Sequence, residues 1–244
     1  MESSTEIFGI RAVIEAIDAG KSIDKVFVQK GLKGPLFQRL ENQLRQHGIS
    51  YSYVPVEKLN RLSHKNHQGV VARVSPVEFH ALDTLVSSTL ESGRVPLFVL
   101  LDQVSDVRNF GAIIRTAECT GVDGIIIGKS GGASINADTI KTSAGAVFKM
   151  PLCKVDHIKD AIYHLQASGI KVVAATEKTD KLVYDVSLKE PCAIVMGSEG
   201  RGITPSILKI ADERIKLPIL GDIDSLNVSV ACGALLYEIV RQRL

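Results

Sequence analysis

Five short runs in the second half of the chain constrain its fold most. They fall at residues 97–101, 124–127, 171–175, 193–196 and 214–217, and most are apolar throughout rather than alternating. A strand that is apolar on both sides must be covered on both faces, as in parallel sheets. Helical patterns separate these runs, at residues 112–120, 158–168, 205–210 and 227–243. The alternation predicts an α/β domain with an open, mostly parallel sheet. Its ligand is expected at the carboxyl ends of the strands.

The first 75 residues carry a different, smaller α/β/α pattern. Ile10, Val13, Ile14 and Ile17 recur at helical spacing and stop near Gly20. Residues 25–28 read as a strand. Leu36, Leu40 and Leu44 line a second helix that Gly48 ends. Residues 51–54 are a strand, 56–62 a short helix and 69–74 another strand. Between the two patterns, residues 76–95 hold Pro76, Ser87, Ser88 and Gly93 around one weak helical pattern. This segment is expected to be a linker. The division is thus a front domain at 1–75, a linker at 76–95 and a second domain at 96–244.

The formal net charge is only +2, yet residues 1–75 hold 11 Lys/Arg against 7 Asp/Glu. The excess at the front fits an anionic partner, RNA above all. Cys119, Cys153, Cys192 and Cys232 are far apart, so paired metal-type spacing is absent. Each lies in an apolar context and is expected to be a buried free thiol, as in a reducing cytoplasm. The polar start at residues 1–6 is unlike a signal peptide. The longest apolar runs are too short to span a bilayer. A cytoplasmic protein with no membrane partner is expected. His64 and His67 lie three apart without further ligands, so a metal is not expected. A loop touching RNA, or a polar strand entrance, fits His67 better.

Three segments carry candidate chemistry. Asn109-Phe110-Gly111-Ala112-Ile113-Ile114-Arg115-Thr116-Ala117 opens a helix after the first apolar run. Asn109 is expected at the helix entrance, where it could be a cap. Arg115 lies six residues on, about 240° round the helix, so the two need not share a face. Arg115 could instead be a salt-bridge partner. Gly197-Ser198-Glu199-Gly200-Arg201-Gly202 follows the 193–196 run, and its glycines let backbone approach a ligand closely. Lacking a Lys-Ser/Thr pair after the turn, it is not a phosphate-cradling P-loop. The absence of a glycine fingerprint with an acidic ribose-binding residue likewise argues against a nucleotide-dependent doubly wound enzyme. Finally, Leu217-Pro218-Ile219-Leu220-Gly221 leads through Ser225, Leu226 and Asn227 into the last helix.

In this order and spacing the three segments resemble the signature motifs of the SpoU/TrmH (SPOUT) family of RNA ribose 2′-O-methyltransferases, over nearly the whole chain. The front half resembles the substrate-binding domain of ribosomal-RNA members, through Ile7-Phe8-Gly9-Ile10-Arg11-Ala12-Val13 and His67-Gln68-Gly69-Val70-Val71-Ala72. The resemblance implies S-adenosylmethionine as cofactor and a deep trefoil knot whose loops form its cleft. It implies a homodimer as well. The apolar stripe of Val228, Ala231, Leu235, Leu236, Ile239 and Val240 fits either that interface or the subunit core.

Catalytic positions implied by the resemblance are Asn109, Arg115, Glu199, Ser225 and Asn227. Cofactor positions are Gly197, Leu217, Ile219 and Leu226. Arg11, His67, Arg108 and Arg201 are candidate RNA contacts. Ser143-Ala144-Gly145-Ala146 matches a family segment near the RNA, or is simple close packing of small residues. A ribose 2′-hydroxyl is a weak acid, so its methylation needs a base or a cation that stabilises the alkoxide. In the family the matching Arg is held to activate that hydroxyl. A guanidinium with a pKa above about 12 is a poor proton acceptor. A water, an RNA phosphate, or alkoxide stabilisation by Arg115 are the alternatives. Departures are Val107-Arg108, where many members have Asp-Pro, and Lys141-Thr142 for the commoner Arg-Ala.

The expected activity is methylation of a ribosomal RNA nucleotide, a guanosine of the large-subunit RNA. The alternatives are a transfer-RNA methyltransferase, whose family members often lack the front domain, and a non-catalytic RNA-binding assembly factor. Loss of Arg115, Glu199 or Asn227 would have favoured the last, and all three are present.

Overall fold

The structure, a computed structural model, describes residues 6–62 and 66–244. The polar start up to Thr5 and His64 lie outside the described residues. The chain divides into two compact units, one of residues up to Glu78 with Ile135–Ala137, the other of Phe79–Ser134 with Asp138–Leu244.

The first unit is built on a mixed four-stranded sheet. β1 (Glu6–Phe8), β4 (Val70–Val74), β2 (Ile23–Gln29) and β3 (Tyr51–Val54) lie in that order, with only β2 and β3 parallel. The helices α1 (Ile10–Asp18) and α2 (Pro35–Gln46) pack on one face. Val13, Ile14, Leu40 and Leu44 close there over Val26, Val28, Val70 and Ala72. The periodicity that marked α1 is thus the face it buries. α2 begins with Pro35 at its first turn, where a missing N–H leaves no orphan donor. The other face holds a smaller cluster, in which Leu59 and Leu62 of α3 (Val56–Leu62) cover Phe27, Val54 and Val71. The edge strand β1 carries no readable signal, being three residues long.

The second unit is the expected parallel sheet, with six strands. β10 (Glu213–Ile215), β8 (Lys171–Ala175), β9 (Cys192–Gly197), β5 (Leu97–Asp102), β6 (Gly124–Gly128) and β7 (Leu152–Val155) run in that order, every pair parallel. All six residues of β5 are buried, as a central strand covered on both faces requires. β7 was not foreseen; four residues containing Lys154 are too short and mixed to stand out. The segment expected as a linker contains α4 (Leu82–Glu91), and its Leu85 and Val86 are buried in this unit's core with Phe98 and Ile158.

The helices α5 (Val107–Cys119), α7 (Ile158–Ala167), α8 (Pro205–Ile210) and α9 (Val228–Arg243) flank the sheet, with α6 (Ala137–Thr142) between β6 and β7. α5 and α9 pack against each other. At the far end of α9, Arg243 donates to the carbonyls of Leu188, Val95, Pro96 and Glu190 and to the Cys192 sulfur. One guanidinium thereby ties the last helix to the strand entrances of β5 and β9.

The cysteines are all free, but Cys119 is exposed, against expectation. It lies about 200° from the buried Ala117 on α5, so the apolar context in sequence is not its environment in space. Burial pushes the Cys232 thiol up to about 12 and Cys153 to about 11.

Candidate active site

The parallel sheet directs the carboxyl ends of β5, β8, β9 and β10 to one edge, and every site segment leaves from those ends. At the end of β5, the buried Asp102 accepts from the Thr204 backbone at 2.7 Å and so anchors the entrance of α8. Asp106, not Asn109, caps α5, accepting from the backbone of Arg108 at 2.8 Å and Asn109 at 2.9 Å. That corrects the placing of Asn109 at the entrance. With the cap filled one turn earlier, the Asn109 side chain is released for other partners.

Its partners come from the other two motifs. The Asn109 amide donates to Glu199 Oε1 at 2.9 Å. The Asn227 amide donates to the same Glu199 oxygen at 2.6 Å and to Asn109 Oδ1 at 3.0 Å. Three side chains separated by up to 118 residues thus close a ring. Asn227 also caps α9, since its Oδ1 accepts from the Ser229 backbone at 2.9 Å, the Ser229 hydroxyl at 2.6 Å and the Val230 backbone at 3.4 Å. The cap and the site are therefore one side chain in two roles. The cap holds the amide oxygen, which aims the amide nitrogen at Glu199.

A cavity of about 370 Å³ opens beside the ring. Gly197, Leu217, Ile219 and Leu226 line it, and so do Glu199, Arg201 and Ser225. Ser225 lines the cavity without joining the ring; Ser229 makes the contact to Asn227 instead. Gly197 has a steric reason: a Cβ there would fall on the carbonyl carbon of Gly202 and the nitrogen of Ile203. The turn folds back at that point, with Gly202 N–H donating to Ser198 O at 2.8 Å. Only a residue without a side chain permits the approach. Sequence reasoning missed Thr176, Glu177 and Lys178 at the end of β8, which also line the cavity. Nothing in their types marks them. Asp106 was findable as an Asx residue just before an apolar-periodic helix.

Arg115 is not brought into this arrangement within the chain. It is exposed and lines a second hollow of about 210 Å³ with Ser143, Ala144, Gly145 and Lys149. The offset along α5 accounts for this: Asn109 faces Glu199 and Arg115 points elsewhere. The geometry of the 143–146 segment bears on its close-packing reading. Ala144 has φ +50° and Gly145 φ +82°, a sharp left-handed turn after α6. A Cβ on Gly111 would collide with the Thr142 side chain, so α5 packs closely on the residues just before it.

The remaining candidates sit apart. Arg108 is exposed in the first turn of α5. In the first unit, Arg11 is exposed on α1. His67 uses both ring nitrogens internally: Nδ1 accepts from the Gly69 backbone at 3.0 Å, so Nε2 donates to Asn60 Oδ1 at 2.9 Å. That matches the strand-entrance reading of His67. Among the described residues, no group of three His, Cys, Asp or Glu is placed to hold a metal ion, and no helix is long and apolar enough to cross a membrane.

Comparison with known proteins agrees with this geometry. The SpoU rRNA Methylase family model matches residues 96–237, and the model described as RNA 2′-O ribose methyltransferase substrate binding matches residues 7–80. A Bacillus subtilis protein assigned to the TrmH family of tRNA/rRNA methyltransferases is 34% identical over 238 residues, covering 97% of this chain and 95% of its own. The S-adenosylmethionine-bound rRNA methyltransferase of Sinorhizobium meliloti has a similar structure, with a TM-score of 0.62 and 26% identity. That likeness covers 98% of this chain and 87% of the other. A TrmH/SpoU tRNA modifying enzyme of A. aeolicus is 31% identical with a TM-score of 0.56, covering 66% of this chain and 84% of its own. The chain belongs to the SpoU family of RNA methyltransferases, enzymes that take their methyl group from S-adenosylmethionine.

Proposed function

We propose that the chain methylates the 2′-oxygen of a ribose in ribosomal RNA, with a guanosine of the large-subunit RNA as target. The observation that carries this reading is the Asn109–Glu199–Asn227 ring at the mouth of the cavity. The cavity fits the cofactor. Its volume lies in the range of small-molecule sites, roughly 300–1,000 Å³. Leu217, Ile219 and Leu226 offer apolar walls for an adenine, and the bare backbone at Gly197 allows close approach. When bound, S-adenosylmethionine supplies an electrophilic methyl.

The chain's own residues orient the acceptor. Glu199 gathers two amides on one oxygen, which fixes all three side chains against rotation. Positioning of this kind can lower a barrier by about 7–11 kcal/mol when the reacting atoms are aligned. Arg201, Arg108 and Ser225 are assigned to the RNA side of the mouth. Arg115 is assigned to stabilise the developing alkoxide. Because Arg115 opens on a different hollow from the ring, this role requires two copies, with Arg115 of one protomer serving its partner's ring. Leu220 and Ile223, 98% and 76% exposed, and Val230 and Tyr237 on α9 are the apolar residues such a dimer would cover.

Ribosomal RNA is preferred to transfer RNA because the likeness to the rRNA enzyme extends over both units, whereas that to the tRNA enzyme covers two thirds of the chain. Mapping of 2′-O-methyl marks in ribosomal and transfer RNA, with and without the gene for this chain, tests the substrate. A lost mark in transfer RNA alone overturns the preference. Light scattering tests the dimer, and a clean monomer at micromolar concentration overturns it. Mixing Arg115→Ala with Asn227→Ala protomers tests the shared site: each alone is inactive, and the mixture regains part of the activity.

A further inference from the structure

We propose that the face of the small sheet around Phe27 binds the phosphodiester backbone of the RNA substrate, through Lys25, Lys58 and Arg73. The inference rests on the reading that the chain acts on RNA. It adds a surface that includes neither Arg11 nor His67.

Three cations from three elements converge on one ring. Lys25 Nζ of β2 lies 5.7 Å from the Phe27 ring centre, Lys58 Nζ of α3 lies 5.4 Å away, and Arg73 Cζ of β4 lies 5.9 Å away. Lys25 and Arg73 are direct partners in the β2–β4 register, a like-charge pair that a sheet ordinarily avoids. The register shifts between Ile23 and Lys25, making Asp24 an extra residue on β2. Without that bulge, Ile23 and Lys25 would share a face. With it, Ile23 packs into the α1–α2 core while Lys25 faces the opposite way. The bulge therefore places the lysine beside the arginine.

Among the described residues no carboxylate forms an ion pair with Lys25, Lys58 or Arg73, although Glu6 is in register with Arg73 across β1. Arg73 Nε is buried and has no hydrogen-bond partner. The aliphatic stems do seal Phe27, which is only 7% exposed. Sealing a ring needs stems but not three unpaired charges of one sign. Phe27 itself is too buried to stack a base, so the recognition chemistry is charge, that of a phosphodiester rather than a nucleobase. Along β2, Lys25 lies four residues from Gln29, which pairs with Gly69 near His67, roughly 13 Å at strand spacing. The cluster is separate from the turn at His67.

The test is titration of purified large-subunit ribosomal RNA against the full chain over a series of salt concentrations. Each phosphate contact contributes about 0.7 to the slope of log K against log salt for single strands. The K25Q/K58Q double variant is expected to lower the slope by about 1.4, and K58Q alone, on the exposed side of α3, by about 0.7. K159Q/K209Q, on the second unit and equal in charge change, is expected to leave it unchanged. Affinity for S-adenosylhomocysteine, measured by calorimetry, stays at the wild-type value in every variant. Wild-type slopes in K25Q/K58Q and K58Q overturn the surface. An equal fall in K159Q/K209Q also overturns it, since net charge alone then accounts for the effect. Failure of the wild type to bind RNA overturns the functional reading as well.

Discussion

The two sheets of this chain place their chemistry differently. The six-stranded sheet is parallel throughout and covered on both faces, so its central strands are apolar up to Asp102 at the end of β5. Its functional side chains all leave from strand ends, where backbone valences open and loops from β5, β9 and β10 meet. The four-stranded sheet is mixed, and among the described residues of its unit the helix on one face is the seven-residue α3. It can hold charges on the face itself. Two arginines show the contrast. Arg243 of the second unit satisfies four carbonyls and a sulfur, whereas Nε of Arg73 in the first is left without a partner. An arginine that is fully used holds a fold together, and Arg73 is not used in that way.

The largest test falls on the strand-end site. Gly197→Ala forces a Cβ onto the backbone of Gly202 and Ile203, and a stability loss of roughly 3–5 kcal/mol is expected, in the range of severe core strain. Chemical denaturation measures it; a loss under 1 kcal/mol would show that the turn can relax. Arg115→Ala comes next. Methyl transfer is expected to fall by about 10²–10³, the effect of removing one group that stabilises developing charge. Affinity for S-adenosylhomocysteine should be unchanged, because Arg115 does not line the cofactor cavity. Normal turnover would remove Arg115 from the mechanism.

Arg243→Met is expected to cost about 2–3 kcal/mol, since several carbonyls lose their donor together. An unchanged melting temperature would sink the view of Arg243 as a clamp. Lys25→Thr sharpens the comparison from the other side. Removing one of two directly opposed cations should stabilise the first unit by about 0.2–1 kcal/mol while weakening RNA binding. The smallest perturbation is chemical: iodoacetamide at pH 8 should label Cys119 rapidly. Cys153, Cys192 and Cys232 should resist, because burial keeps their thiols protonated.

Sequence patterns reported the long elements well, because a packed helix or buried strand repeats its apolar positions. They failed for β1 and β7, which are three and four residues long. The weak helical pattern in the 76–95 segment is α4, but its polar surroundings hid that Leu85 and Val86 enter the second unit's core. The three motifs were legible, and so was the angular offset that separates Arg115 from Asn109. Their mutual hydrogen bonds were not, because periodicity says nothing about which loops meet. Ser229 shows a finer limit. It is one small polar residue among several at a helix start, and its hydroxyl's bond to Asn227 follows from the fold alone.

The strand order β10-β8-β9-β5-β6-β7 has a kinetic consequence. β5 and β9 are central neighbours, yet some 90 residues separate them, and the Asn109–Glu199 bond spans that same gap. Loop-closure entropy must be met before such contacts give any return, so parallel sheets of distant strands rank among slow folders. The Asn109–Glu199–Asn227 ring can close only after β9 has docked and α9 has laid down its first turn. Refolding experiments should therefore see helical signal return well before cofactor binding does, and nascent chains should remain clients of chaperones until the final helix is in place.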